Sequence, residues 1–382
     1  MAEIVEKSPS QRPPIEWSTA IMFVLTTLAA ITLVPWYGLV EGYSTTAWVT
    51  ALVLWIYCGT AIGSGYHRLW SHRTYKAHWA LRVFYALGGA LALQNSALNW
   101  CARHRVHHRH VDIEDKDPHS IKLGFWHAHM GWMLRDHECA RANYGNVPDL
   151  KNDPIVMWQH RNYWSLTWFM NLGVPAIIGW IAGDLWGVIL LGGVLRLVVN
   201  HQVTFFINSL AHMWGKQPYS DESTARDNWF LAMITFGEGY HNFHHTFQAD
   251  YRNGVRWWQI DWNKWFLNGV RLVGLGWDFK KTPRFRVLRA KLAMDFINAR
   301  KRLTEEATDA SWKETLDREY QQFLETVKAF QELQKGRVQS ARQSLRERWE
   351  ANSLRTRMKE LEYSLKMQRK RVSLLTAALS TG

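Results

Sequence analysis

Cysteine is scarce: the 382 residues hold only Cys58, Cys101 and Cys139, with no C-x-x-C pair. That excludes a disulfide framework and a thiolate-bound iron–sulfur cluster, and fits a reducing, cytoplasm-facing setting. A dinucleotide fingerprint is also lacking. Gly63-Ser64-Gly65 has no third glycine and runs into a histidine cluster, so it is a poor phosphate loop. No haem-binding cytochrome domain is recognisable, so any redox chemistry must borrow its electrons. Nucleic-acid motifs are missing as well. The net charge of +13, much of it after residue 280, therefore points to anionic lipid or an acidic protein rather than to nucleic acid.

Lys and Arg are absent from two short turns, Glu41-Gly42-Tyr43-Ser44-Thr45 and Gly183-Asp184. Each turn separates two apolar runs of the roughly 20 residues that a membrane helix needs. The runs extend from about Trp17 to Val40, Thr46 to Gly65, Trp164 to Gly183, and Leu185 onward. By the positive-inside rule both turns face away from the cytoplasm, which leaves both termini and the basic connecting stretches on the cytoplasmic side. The 23 tryptophans suit a chain with many side chains at the membrane–water interface. Although 47% of residues are hydrophobic, the mean hydropathy is only −0.27, because apolar and charged residues are segregated.

The fourth run contains Arg196, Asn200, His201 and Gln202, so either its later half is covered by protein or Arg196 snorkels to the interface. A helix from Leu185 to His212 would measure roughly 40 Å against a hydrocarbon core of about 30 Å, so its last turns leave the bilayer. Trp79–Leu98 is a further apolar run, read as a monotopic or interior helix because a fifth span would put the histidine clusters on opposite faces. Residues 1–16 read as a cytoplasmic leader, 17–283 as the membrane domain and 284–382 as a basic helical tail. In that tail Leu354, Met358, Leu361, Leu365, Val372, Leu375 and Leu379 fall on heptad positions, interrupted by Gln368. They predict a coiled coil or helical hairpin, with an internal partner or self-association, the alternative being one amphipathic helix on the membrane surface.

Chemistry is concentrated in three clusters: His67 and His72 as H-x4-H, then His104, His107 and His108, and His241, His244 and His245, both as H-x2-H-H. Imidazole is the neutral nitrogen ligand of iron, zinc, copper and nickel, and eight or nine of them exceed what one ion can take. Two ions are implied. On a helix His104/His108 and His241/His245 share a face, while His107 and His244 lie alongside and can reach a second ion. Asp112, Glu114, Asp115, Asp117, Glu238 and Asp250 are the nearby acids available to hold the other ring nitrogens.

These residues resemble the membrane fatty-acid desaturase family, in its Δ9 acyl-chain branch. The resemblance runs from roughly Ile21 to Asp278 and rests on HRLWSHRTYKAH from His67, Gln94-Asn95 before Trp100, HRVHH followed by DKDPHS, GFWHAHMGW from Gly124, NSLAH from Asn208, and GYHNFHHTFQADYRNG from Gly239. It implies an all-α integral membrane protein of four transmembrane helices with a cytoplasmic helical cap. The cap would hold a di-iron centre ligated by His67, His72, His104, His107, His108, His212, His241, His244 and His245, with Asn208 contributing through a water. It also implies a bent internal tunnel and removal of two hydrogens from a saturated acyl chain, using O2 and two electrons from a ferredoxin, rubredoxin or cytochrome b5-like donor with its reductase. An unactivated methylene has no acidic proton and no leaving group, so side-chain acid–base catalysis could not attack it.

Acyl-CoA is the leading substrate and an acyl-lipid the runner-up. Where animal acyl-CoA desaturases typically carry Arg-Asp before the second cluster, this chain has Ala102-Arg103, and Lys122 falls where a CoA-contacting base is expected. Ala51 and Trp55 are candidates for chain-length control. A membrane di-iron hydroxylase is the nearest alternative enzyme, and a non-catalytic metal-binding membrane protein the alternative outside enzymes. The remaining histidines, His78, His110, His119, His127, His129, His137, His160 and His201, read as packing or supporting residues.

Overall fold

The computed structural model describes residues 13–305, 310–340 and 347–379. Most of the leader assigned to residues 1–16 lies outside them. Four helices are long and apolar enough to cross a membrane: Trp17–Val40, Thr45–Ser71, Tyr163–Ala182 and Leu185–His212. Asp184 ties the two charge-poor turns together. It caps its own helix through Gly187 N (2.9 Å) and accepts from Tyr37 Oη (3.0 Å) and Ser44 N (3.1 Å). The first span exposes Ile21, Val24, Leu25, Leu28 and Ile31 and buries Phe23, Ala30 and Val34, as a helix with lipid on one side must.

Arg196 does not snorkel. It is buried and donates to Gly192 O (2.9 Å), Leu91 O (2.9 Å) and Asn171 Oδ1 (2.8 Å), so one guanidinium links the fourth span to the third and to the helix Trp79–Ala92. Asn200 and His201 are buried too, and His201 Nε2 contacts Ala92 O (3.1 Å). The covered alternative is therefore the one the fold adopts. The run from Trp79 forms a helix only to Ala92, where Leu93 turns left-handed (φ 50°) and a new helix, Ala97–His110, follows. At 14 residues it is too short to span, and it packs against the second span as an interior helix.

Three spans contain wide, π-helical turns, at Ala61–Ser71, Phe169–Gly173 and Ile189–Leu195. The fourth span also departs from a simple extension. Its α-helix stops at Asn208, and His212 sits in the following 3-10 turn, Leu210–His212. A two-residue antiparallel pairing of Lys76–Ala77 with Gly276–Trp277 fastens the chain leaving the second span to the end of this unit.

The chain divides into two compact units, Met1–Lys216 with Ser223–Lys281, and Gln217–Glu222 with Thr282–Gly382. The second contains helices Arg284–Glu305, Ala310–Ser340 and Glu347–Leu379. Phe285, Leu292, Phe296, Leu316, Phe323 and Phe330 pack with Leu365 and Val372, and Met358 and Leu361 lie against them. The heptad face is thus covered by helices of its own unit rather than left for a membrane surface. Leu379 has a side chain outside the described set.

Candidate metal centre

The first cluster depends on the π-turn. On a regular α-helix residues five apart point roughly 140° away from each other. Here His72 N donates to His67 O (3.1 Å), a five-residue closure that brings the two rings to 4.8 Å between centroids. Such turns recur at functional sites. The second cluster rides on Ala97–His110, capped by Ser96. Arg105 of that helix donates to the carbonyls of Trp70 (2.7 Å) and Ser71 (3.1 Å) and pairs with both oxygens of Asp149 (2.8 Å each). It therefore fixes the second cluster against the π-turn. The third cluster occupies the short helix His241–Thr246.

Nine imidazoles converge as two groups. His67, His72, His104, His108 and His244 form one, and His107, His212, His241 and His245 the other, each with ligand nitrogens within 4.8 Å of one another. In the first, Nε2 atoms meet at 2.9 Å (His67/His244), 2.8 Å (His72/His104) and 3.0 Å (His108/His244). In the second they meet at 3.1 Å (His212/His241), 3.1 Å (His241/His245) and 3.4 Å (His107/His245).

Carboxylates hold the far side of two of these rings. His107 Nδ1 donates to Asp117 Oδ1 (2.9 Å), and His67 Nδ1 lies 2.8 Å from Glu238 Oε2. A carboxylate can only accept, so the ring hydrogen belongs on Nδ1 and the Nε2 lone pair faces the neighbouring imidazoles. Burial, followed by the neighbouring imidazoles, pushes His72, His104, His108, His244 and His245 well below the ordinary histidine range, and His241 down to about 3. Neutral imidazoles whose Nε2 atoms converge at about 3 Å present a set of nitrogens that a cation can occupy. The donor sets therefore fit metal ions of the kind imidazole binds, iron, zinc, copper and nickel among them.

Of the acids named from sequence, Glu238 and Asp117 contact rings of the two imidazole groups directly, whereas Asp250 pairs with Arg252 (2.8 Å). Burial alone would raise Glu238, but His67 and the Arg68 guanidinium outweigh it and hold the carboxyl at about 2. Arg68, itself buried, donates to Glu238 Oε1 (2.9 Å), Asp261 Oδ1 (3.0 Å) and Tyr251 O (3.0 Å). Sequence reasoning missed Arg68 and Asp261; a charged residue directly after a ligand histidine was the available signal.

The other predicted positions are more dispersed. Asn208 ends its α-helix four residues before His212. Lys122 is exposed on the short turn Ile121–Leu123. Ala51 packs with Val34, Ala47 and Leu191, while the Trp55 ring lies 4.8 Å from Phe236 and buries an Nε1 that has no partner among the described residues. Among the supporting histidines, His129 contacts Ser209 Oγ (2.9 Å) and Gln202 Oε1 (3.0 Å), His160 contacts Ser96 Oγ (2.7 Å), and the His119 ring lies 4.2 Å from His107.

Residues 44–264 match the model of the fatty acid desaturase family, and this stretch contains every histidine of both groups. The chain belongs to that family. It is 41% identical to acyl-CoA desaturase 1 of Saccharomyces cerevisiae over 66% of this chain and 49% of that protein. It is 44% identical to a probable acyl-CoA desaturase of Schizosaccharomyces pombe over 62% and 49%. Against stearoyl-CoA desaturase 4 of Mus musculus the identity is 34% over 74% and 80%. The chain thus spans about half the length of these two yeast relatives and most of the mouse one. Iron is the metal this family uses.

Proposed function

We propose that this chain is an acyl-CoA desaturase that introduces a cis double bond, at Δ9, into a saturated fatty acyl chain at a centre of two iron ions. The observation that carries the proposal is the pair of converging imidazole groups, five and four strong, inside a family whose named relatives act on acyl-CoA. In the overall reaction O2, two electrons and two protons remove two hydrogens from adjacent methylenes and release two waters. The irons would activate O2, which is the oxidant, for removal of the two hydrogens. What the chain contributes is position and exclusion of water: His67, His72, His104, His108 and His244 would hold one ion, and His107, His212, His241 and His245 the other, with Asn208 contributing through a water. Glu238 and Asp117 orient His67 and His107.

The second span ends at Ser71, directly before His72, and the fourth at His212, so an acyl chain lying among the spans would meet the centre at their ends. Lys122 would meet the CoA end, and Ala51 and Trp55 would bound the methyl end. The reading also places the centre and both termini on the cytoplasmic side, and it requires an external one-electron donor, a ferredoxin, rubredoxin or cytochrome b5-like protein. The test is reconstitution of the purified full chain with iron, O2, a reduced ferredoxin and its reductase. Saturated acyl-CoA and a saturated phospholipid are offered in parallel. Monounsaturated acyl-CoA is the expected product. Turnover of the phospholipid alone would make the chain an acyl-lipid desaturase, and hydroxylated product would move it to the related hydroxylases.

A further inference from the structure

His212 differs from the two rings held by carboxylates, for its Nδ1 meets a hydroxyl, Thr224 Oγ1, at 2.8 Å. That hydroxyl has one hydrogen, which it donates to Asp112 Oδ1 (2.7 Å), while Thr224 N donates to the other oxygen, Asp112 Oδ2 (2.7 Å). The Asp112 carboxylate can only accept, so the threonine proton is committed to it and the oxygen is left as an acceptor. His212 must then carry its hydrogen on Nδ1. Its Nε2 lone pair is turned toward His241 Nε2, 3.1 Å away.

The same acid reaches a second ring of that group. Asp112 N donates to Asp117 Oδ2 (3.0 Å), and Asp117 Oδ1 accepts from His107 Nδ1 (2.9 Å). Asp112 does this from a left-handed backbone (φ 64°), a conformation that Asp adopts more readily than most side chains. The chain around Thr224 braces the remaining parts: Arg226 N donates to Ala211 O (2.7 Å) beside His212, and His241 N donates to Arg226 O (3.3 Å). The Asp112 and Thr224 side chains thus hold His212 directly, while His107 connects through Asp117 to the Asp112 main chain and His241 to the main chain of Arg226, two residues past Thr224; all three belong to the four-imidazole group. Among the described residues no histidine of the five-imidazole group bonds to Asp112 or Thr224.

We propose that Asp112 and Thr224 are positioning residues for the four-imidazole site alone: their side chains set the tautomer and orientation of His212, so the two metal sites have separable affinities. The proposal rests on the two-metal reading above. Loss of a hydrogen bond behind a metal-bound imidazole typically weakens binding by about 10–100-fold. The experiment titrates metal-free, full-length protein in detergent with Fe(II) under anaerobic conditions, comparing wild type with Thr224→Val, Thr224→Ser and Asp112→Asn, and follows unfolding of each metal-free protein as a control.

Wild type should take two equivalents. Thr224→Val should bind the first unchanged and the second about 10–100-fold more weakly, with Asp112→Asn weakened in the same equivalent and Thr224→Ser restored to near wild type. Equal affinities in wild type and Thr224→Val, a parallel loss of both equivalents, or no rescue by serine would overturn the proposal. A wild-type chain that takes fewer than two equivalents would overturn the two-metal reading itself, and this proposal with it.

Discussion

Replacing Glu238 by Gln removes one negative charge from the buried network behind His67 and changes almost no volume. Oε1 accepts from Arg68 Nη2 (2.9 Å) and Asn263 Nδ2 (3.4 Å); Oε2 accepts from Asn253 Nδ2 (2.7 Å) and faces His67 Nδ1 (2.8 Å). Whichever oxygen becomes an amide nitrogen then turns a donor toward donors. Arg68 keeps Asp261 but loses half of its countercharge. Removing one member of a buried ion pair costs about 3–5 kcal/mol.

The carboxyl itself points the same way. His67 and Arg68 hold it below its ordinary 4.5, so the ionised carboxylate adds to stability. The sign follows from the lowered value: the contribution is complete above pH 4.5 and disappears as the pH falls toward about 2. At neutral pH Glu238→Gln should therefore lower the apparent melting temperature of the metal-free protein by roughly 10 °C, read by fluorescence-detected size exclusion after heating. It should also weaken metal binding by about 10–100-fold. A variant that melts within about 2 °C of wild type, a shift worth less than about 1 kcal/mol, refutes the claim that this carboxylate balances Arg68 and holds His67.

Arg196→Met should destabilise the membrane unit by about 3 kcal/mol or more, since it strands the acceptors Leu91 O and Asn171 Oδ1 away from water; an unchanged melting temperature in detergent would contradict this. Gln368 is buried, and both its amide atoms are unpartnered among the described residues. Gln368→Leu should therefore stabilise the tail unit by about 1–3 kcal/mol, seen as slower limited proteolysis after residue 282 in the full chain, and faster cleavage would oppose it. Trp55→Ala should lengthen the acyl chains accepted, measured as the product-length distribution, and an unchanged distribution removes Trp55 from chain-length control.

Much of this architecture was legible because the membrane imposes a simple rule. Apolar runs of about 20 residues bounded by charge-poor turns led directly to the four helices, and the short run from Trp79 was correctly kept out of them. The heptads in the tail were legible as an apolar stripe, but a stripe does not say what covers it; two helices of the same unit do. Arg196 was ambiguous because the choice between lipid and protein lies in the partners Leu91 and Asn171, far away in sequence. The π-turn was hidden for a different reason. Its five-residue closure was present in the H-x4-H spacing, yet an α-helical reading of that spacing sets the two rings apart. For the same kind of reason, sequence offered several acids and no pairing: Glu238 reaches His67 from 171 residues away only because the π-turn presents that ring to it.

The most direct test of the central claim is lipid mass spectrometry with double-bond localisation, in cells lacking their own Δ9 desaturase, with this chain compared against His108→Ala. The account predicts new Δ9 monounsaturated acyl chains with wild type and none with the variant, whose Nε2 would otherwise meet His244 at 3.0 Å in the five-imidazole group. Monounsaturated chains produced equally by both would contradict it, as would iron-loaded wild-type protein that, with a competent electron donor, leaves the lipids saturated.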